Sequence, residues 1–338
     1  MLQSPPDNRC MPELRPMLAR EADAPPNDGG WAFEIKWDGV RALAGSEGDG
    51  GLRIESRRGD DISTRYPELA GLGEALAPHR AVLDGEIVAF DEAGRPSFQR
   101  LQLRMGLTDA ISIQRRVPQT PVTYVAFDLL ELDSESTLEL PYRERRALLE
   151  GLELDGASWQ TPSYHVGEGE ALLELARTRG LEGVVAKRLD SPYRPGKRTG
   201  DWIKVRNWRR QEFVIGGWMP GEGGRSGRVG SLLLGYFDST PAEERELDRR
   251  PRLVYCGGVG SGFTDDEIER LSELLSSRSR DDTPFDVGAP KRAGARFCEP
   301  ELVCEAKFTE WTNEGTLRQP VYLGLRDDKN PREVIREL

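Results

Sequence analysis

Short segments of alternating apolar and polar residues, each ended by glycine, recur through the chain and restrict it to a sheet-rich fold. Trp31-Ala-Phe-Glu-Ile-Lys-Trp37 has period two and closes at Asp38-Gly39. Leu52-Arg-Ile-Glu-Ser56 repeats the pattern and ends in Arg58-Gly59-Asp60. Ala81-Val-Leu83, Asp84-Gly85 and Glu86-Ile-Val-Ala-Phe90 read as strand, kink and strand, and residues 122–132 as a buried strand. Gly183-Val-Val-Ala-Lys-Arg188 and Trp202-Ile-Lys-Val-Arg206 read as two more, around a Pro/Gly loop at 191–200. Helical spacing marks residues 66–76, with Pro67 in the first turn, and residues 142–152 and 168–179, the last stopped by Gly180.

After Trp208 the strands become shorter and richer in glycine: Glu212–Trp218, Gly230–Phe237, Leu253–Gly260, Leu302–Phe308 and Val321–Leu325. A helix opens at Thr264 and runs to about Leu275, with Asp265, Asp266 and Glu267 in the first turn, where the helix dipole favours acids. Five strands and one helix predict a small barrel of the OB type. We therefore expect an α+β chain of two domains, 1–208 and 209–338.

No apolar run approaches the roughly 18 residues of a membrane span, and the first residues lack the apolar stretch of a secretory signal. Four cysteines (Cys10, Cys256, Cys298, Cys304) show no C-x-x-C spacing, and only two histidines are present, so zinc modules and disulfide scaffolds are poorly supported. A protein of a reducing cytoplasm is expected. The net charge of −11 opposes a polyanionic partner. Locally the balance reverses: between Lys187 and Arg210 stand Lys187, Arg188, Arg194, Lys197, Arg198, Lys204, Arg206, Arg209 and Arg210, opposed by Asp190 and Asp201. Such a stripe reads either as a solvated surface or as a seat for a phosphate backbone.

The chain has 40 arginines and seven lysines, so each lysine stands out: arginine keeps its proton and cannot act as a nucleophile. Lys36, Lys187 and Lys204 lie inside patterned apolar segments. Lys36-Trp-Asp-Gly39, at the end of a strand, reads either as an exposed lysine before a turn or as an amine set to attack phosphorus. The second role requires a neutral amine, and neighbouring cations favour that form; Lys204, Arg206 and a divalent metal are the available ones. Asp84-Gly-Glu86 and Glu182-Gly183 supply carboxylates of the kind Mg²⁺ takes, and Asp38 is a third candidate. Phe127 reads as a core aromatic or as a stacking face for a purine.

In order, Glu34-Ile-Lys36-Trp-Asp-Gly-Val-Arg41, Ser56-Arg57, Asp84-Gly-Glu86, Phe127-Asp-Leu, Glu182-Gly-Val-Val-Ala-Lys187 and Trp202-Ile-Lys204-Val-Arg206 resemble nucleotidyltransferase motifs I, Ia, III, IIIa, IV and V. That superfamily contains ATP-dependent DNA ligases, RNA ligases and mRNA capping enzymes. Arg318-Gln-Pro-Val-Tyr-Leu-Gly-Leu-Arg326-Asp-Asp328-Lys329 resembles motif VI of DNA ligases, and the second domain as a whole is similar to the ligase module of bacterial end-joining enzymes. The resemblance spans residues 10–335. It implies an ATP-grasp-like adenylation domain of antiparallel sheets with flanking helices, followed by an OB-fold β-barrel.

The resemblance also implies a reaction: Lys36 takes AMP from ATP, passes it to a DNA 5′-phosphate, and a 3′-hydroxyl then seals the nick. By carry-over, Glu34 contacts the adenine amine and Phe127 stacks on its ring. Arg41 and Arg57 contact ribose or the 5′-phosphate. Glu86 holds ribose or metal, and Glu182 metal. Lys204 neutralises the α-phosphate with Arg206 beside it; the family usually places lysine where Arg206 stands. Arg318, Arg326, Asp328 and Lys329 orient pyrophosphate when the barrel closes, with residues 205–212 as the hinge. Lys187, Arg188, Arg194, Lys197 and Arg198 are expected to bind DNA. ATP and Mg²⁺ or Mn²⁺ are the implied co-substrate and metal; nicked or broken duplex DNA is the implied partner, with end-bridging and repair polymerase proteins as further candidates. The protein is expected to be a monomer off the membrane. With about 35 residues before Lys36, the chain is expected to lack the helical DNA-clasping domain of replicative ligases. Alternatives are an RNA ligase, a capping-type guanylyltransferase, or a catalytically silent DNA-end-binding protein.

Overall fold

The computed structural model describes residues 14–337 except 224–226, 242, 244–245, 247–249 and 291–292. Cys10, Lys291 and part of the loop 220–230 therefore lie outside the described residues. The chain divides between Asn207 and Trp208 into two compact units.

The first unit is built on two sheets. One has the strand order Arg20–Ala22, Trp202–Arg206, Gly183–Arg188, Trp31–Ile35, His165–Val166. Its register places Val185 opposite both Glu34 and Lys204, and Lys187 opposite Ala32 and Trp202. Because side chains alternate between faces, Glu34, Lys187, Trp202 and Lys204 share one face. Trp31, Phe33, Val184, Ala186 and Val205 share the other, where they pack with Leu172 and Ala176 of the helix Gly169–Thr178.

The other sheet runs Arg53–Ser56, Val40–Glu47, Arg80–Ala89, Val122–Leu132, Trp159–Gln160, Asp155–Gly156, with Glu135–Ser136 beside residues 131–132. One face, carrying Ala42, Leu83, Ile87 and Leu129, is fully buried under Leu69, Leu72 and Leu76. Each such side chain contributes about 1.5–3 kcal/mol by leaving water. The opposite face carries Leu43 and Val82, which pack with Met17, Phe127, Tyr193 and Trp202. Trp202 belongs to the first sheet and Phe127 to the second, so the two sheets meet there.

Two motif glycines answer to close backbone approach. A Cβ on Gly39 would lie 2.1 Å from the Ile87 carbonyl oxygen. One on Gly183, whose φ is +145°, would lie 2.0 Å from the carbonyl oxygen of Val205. No side chain fits in either place.

The helix expected over residues 66–76 is instead one 3₁₀ turn, Pro67–Leu69, and the short helix Gly71–Leu76, with a further 3₁₀ turn, Ser63–Arg65, just before. Pro67 opens its turn and, lacking an N–H, cannot donate to a regular ladder. The strand–kink–strand of residues 81–90 is one strand with register shifts against its neighbour at Val82/Leu83 and Asp84/Gly85. Sequence patterning missed Val40–Glu47, which has no clear alternation because Ala42 to Ser46 are all buried.

In the second unit the order is Leu253–Val259, Val229–Phe237, Arg209–Pro220, Arg296–Phe308, Ser279–Arg280, with Val321–Arg326 also pairing Arg296–Phe308. The helix Asp265–Ser276 is capped by the Thr264 side chain, which accepts from the Glu267 N–H at 3.2 Å, and buries Ile268, Leu271 and Leu275. The expected OB-type sheet is present; among the described residues no ladder joins Leu253–Val259 to Val321–Arg326, and the Tyr322 N–H donates to the Ser261 carbonyl just past that edge strand at 2.9 Å. Among the described residues no helix is long and apolar enough to cross a membrane.

Candidate active site

Between the two sheets of the first unit lies a cavity of about 260 Å³, bordered by Glu34, Lys36, Trp37, Arg41, Arg57, Glu86, Phe127, Lys187, Arg198, Trp202, Lys204 and Arg206 together with residues 16–19. Residues separated by up to 190 positions converge here because the strand Trp31–Ile35 pairs with residues 184–188, which pair in turn with residues 202–206. The Lys36 N–H donates to the Gly183 carbonyl at 2.9 Å, which extends that pairing by one residue and brings the lysine beside Glu182.

The Lys36 ammonium is hydrogen-bonded to Glu182 Oε2, and Arg206 Nε donates to Glu182 Oε1 at 3.2 Å. Arg206 also reaches Glu21 at 3.1 Å, and Lys204 lies 3.3 Å from the same carboxylate. Burial lowers the pKa of the Lys204 amine, and Arg206 and Lys36 press it in the same direction against the pull of Glu21. Three cations and two carboxylates thus form a chain along one wall.

Arg41 and Glu86 are directly paired across adjacent strands. Burial pushes the Glu86 carboxyl up from an ordinary 4.5 to about 7; Arg41 and Lys36 oppose the shift, while Glu182 and Asp84 add to it. Arg41 is committed to Asp84, donating Nε and NH2 to its two oxygens at 2.6 Å each, and Tyr193 donates to the same carboxylate at 2.6 Å. Asp84 is wholly buried, so this is a structural clamp. The Arg41 guanidinium also lies over Phe127, 4.5 Å from the ring centre.

Lys187, expected on a DNA-facing surface, is corrected: it is 1% exposed and sits beneath the cavity. Its Nζ donates to Glu34 Oε2 at 2.9 Å and to the Phe127 carbonyl at 3.2 Å, enclosed by the rings of Phe127, Trp202 and Tyr142. The alternation that puts Val185 on the cavity face puts Lys187 there too, and a count of charges along the sequence does not register this. Arg188, Arg194, Lys197 and Arg198 of the same stripe are exposed, as are Arg209 and Arg210. Arg188 stacks over Trp31 at 4.4 Å, Arg194 pairs with Glu139 at 2.6 Å, and Arg198 donates to the Ala19 carbonyl. Arg57 is exposed at the cavity edge. Asp38 sits in the turn after Trp37, outside the cavity lining.

Arg318, Arg326, Asp328 and Lys329 belong to the second unit. Arg318 pairs with Glu310 at 2.7 Å; Arg326 binds Asp328 at 2.8 Å and reaches Glu212 and Glu305 at 3.1 and 3.2 Å. Lys329 is half-buried near the end of that segment.

Sequence reasoning missed Tyr142, whose hydroxyl donates to Glu34 Oε1, and the Asp84–Tyr193 support of Arg41. Tyr142 opens a charged helix and carried no motif; its position follows from the helix packing against the strand Val122–Leu132. Two buried indole N–H groups beside the cavity, on Trp37 and Trp202, have no hydrogen-bond partner in the structure. Unpaired buried donors of this kind suit a polar ligand. For a metal, Glu86 and Glu182 suit a hard divalent cation, which would relieve the mutual repulsion of the two carboxylates. Among the described residues no group of three or more acidic, histidine or cysteine side chains is placed to hold an ion alone, so phosphate or water oxygens would complete such a site.

Two facing sheets with a lysine at a cavity lined by aromatics, acids and cations, followed by an OB-type sheet, define a nucleotidyltransferase of two units. The family described as "ATP dependent DNA ligase domain" matches residues 16–206, and its "C terminal region" matches residues 225–329. The chain belongs to the ATP-dependent DNA ligases. It is 42% identical over 327 residues to the "Multifunctional non-homologous end joining DNA repair protein LigD" of Mycobacterium tuberculosis, covering 96% of this chain and 40% of that protein. It is 34% identical over 343 residues to "DNA ligase C1" of Mycolicibacterium smegmatis, covering 96% and 93%. The crystal structure of the ligase domain from M. tuberculosis LigD matches with 41% identity and a TM-score of 0.53, covering 96% of this chain and 98% of that one. The chain thus spans about 40% of the length of the LigD relatives.

Proposed function

We propose that this DNA ligase seals breaks in duplex DNA through a lysyl-AMP on Lys36, and that it serves end joining. The observation that carries the reading is the placement of Lys36: a strand-end amine bonded to Glu182 and facing a cavity whose walls supply Lys204, Arg206 and Glu86. In the first step the Lys36 nitrogen bonds to the α-phosphorus of ATP, the bond to pyrophosphate breaks, and the amine proton leaves by way of Glu182. Lys204 and Arg206 offset the negative charge that develops on the phosphoryl oxygens. In the second step a 5′-phosphate oxygen of DNA attacks the same phosphorus, the P–N bond breaks and the lysine is restored. In the third, the 3′-hydroxyl attacks the 5′-phosphorus and AMP departs. The protein's work in all three is to position groups and stabilise charge. A Mg²⁺ or Mn²⁺ ion held by Glu86 and Glu182 would add Lewis-acid stabilisation of phosphate.

Intact-mass measurement tests the reading. ATP is expected to add one adenylyl group at a single lysine, and an unchanged mass in a protein not already adenylated discards the mechanism.

For DNA we assign Arg188, Arg194, Lys197 and Arg198, the exposed basic residues between positions 188 and 198. Four phosphate contacts imply a loss in affinity of about a hundredfold between 50 and 200 mM salt, despite the net charge of −11. Binding that stays flat over this range removes the stripe from the interface. End joining is assigned from the likeness to the end-joining protein LigD, and on that reading end-bridging and polymerase proteins are its partners. We place a monomer in the cytoplasm, at the nucleoid, where the buried thiols of Cys256, Cys298 and Cys304 stay reduced.

A further inference from the structure

We propose that Glu21 is an internal stand-in for a substrate phosphate: it occupies Lys204 and Arg206 while the cavity is empty and yields them to the triphosphate of ATP. The inference rests on the adenylation reading above and adds a residue that sets how tightly phosphates are held and released. Glu21 lies on the edge strand Arg20–Ala22, which runs parallel to Trp202–Arg206 with Glu21 in register with Lys204. Its neighbour Ala22 is in register with Val205 and packs with the cluster on the far face. Alternation therefore turns Glu21 to the face of Lys204 and Arg206, which both border the cavity. Arg206 NH1 donates to both Glu21 oxygens at 3.1 Å, and Lys204 Nζ lies 3.3 Å from Oε2. Burial works to raise the Glu21 carboxyl, yet Arg206 and Lys204 outweigh it and hold the group below its ordinary value.

The exposures of the three side chains decide what this contact can do. Lys204 and Arg206 are 21% and 15% exposed, whereas Glu21 is 42% exposed. The carboxylate thus lies on the solvent side of both cations. It can turn into water by rotation about its own side-chain bonds, with the strand in place. Ion pairs this accessible are weak. A triphosphate brings several negative charges to the same cations and displaces a single carboxylate. Glu182 cannot play this part: its side chain is 8% exposed and enclosed between Lys36 and Arg206. While engaged, Glu21 offsets the mutual repulsion of two adjacent cations. Because it competes with ATP and with pyrophosphate alike, it weakens substrate and product binding together. Weaker product binding lets pyrophosphate leave and keeps it from reversing the transfer to Lys36.

The test is calorimetric titration of AMP-free protein, in Mg²⁺, with inorganic pyrophosphate and with adenosine, together with single-turnover labelling by ATP. Wild type, Glu21→Gln and Glu21→Asp are compared. Glu21→Gln keeps the shape and removes the charge. It is expected to bind pyrophosphate about tenfold more tightly, the scale of one unit charge a few ångströms away in a partly wet site. The ATP concentration at half-saturation is expected to fall by a similar factor, while the saturating rate of labelling changes by less than about twofold. Adenosine, which carries no phosphate, is expected to bind both proteins equally. Glu21→Asp, with the charge on a shorter stem, is expected to fall between wild type and the glutamine variant. Unchanged or weaker pyrophosphate binding by Glu21→Gln, or none by either protein, overturns the proposal. So does an equal gain for adenosine, which would mark a general change in the cavity. Absence of label from Lys36 in wild type would instead overturn the adenylation reading, whatever the titrations show.

Discussion

Lys36→Arg is expected to take up no AMP: its mass stays constant after incubation with ATP, and sealing of an ordinary nick falls by about four orders of magnitude or more. The physical reason is confined to one atom. A guanidinium does not shed its proton under these conditions and has no free lone pair to bond to phosphorus. The charge, however, is retained, so the partnership with Glu182 and the cation chain through Arg206 and Lys204 keep their electrostatics. The fold is therefore expected to survive, and a thermal melt close to that of wild type checks this. A second arm isolates the step. When the nick carries AMP on its 5′-phosphate beforehand, no lysine nucleophile is needed, and Lys36→Arg is expected to retain sealing. Loss of both reactions in a folded variant would mean that Lys36 acts in the last step as well, and an adduct on the arginine variant would place the nucleophile elsewhere.

Glu86→Gln is expected to stabilise the protein while disabling it. Burial raises the Glu86 carboxyl from 4.5 to about 7, so between those values the folded protein holds a proton that the unfolded chain releases. Stability of the wild type accordingly falls as pH rises through that window and levels off above it. The full shift corresponds to at most about 3 kcal/mol, and partial solvent contact reduces it. Glutamine removes the linkage, so the two stability curves are expected to coincide near pH 4.5, diverge up to pH 7 and run parallel at pH 8. Over the same range wild-type adenylation rises as the carboxylate ionises, whereas the variant loses the charge that ribose or metal requires. Parallel denaturation curves from pH 4.5 to 8 would show that Glu86 is not perturbed as its surroundings imply.

Much of the site was legible because motif residues lie on strands whose alternation is plain. Glu34 and Lys36 share a face by period two, as do Lys204 and Arg206, and the glycines at 39 and 183 mark places where backbones nearly touch. The helix Asp265–Ser276 was legible from its cap and its acidic first turn. Legibility ended where an interaction depends on a partner far along the chain. Lys187 counts as a surface charge until the strand register sets it beside Glu34, and the hold of Asp84 and Tyr193 on Arg41 shows only once the strands are paired. Residues 66–76 have helical spacing, but the stretch from Pro67 begins as a 3₁₀ turn and the helix is confined to Gly71–Leu76. How the second unit's sheet ends likewise depends on which strands pair, which the lengths of its segments do not state.

By itself, the order of residues determined which side chains share a face, where backbones must come close, and that a lysine closes a strand among segments rich in acids and cations. These are local properties, set by strand alternation and by the steric demands of glycine. Tertiary structure alone decided the pairings: Lys36 with Glu182 across 146 positions, and Glu34 with Lys187 across 153. A charge in a strand is exposed or buried according to the sheet that covers it, and its partner is whatever the register brings opposite.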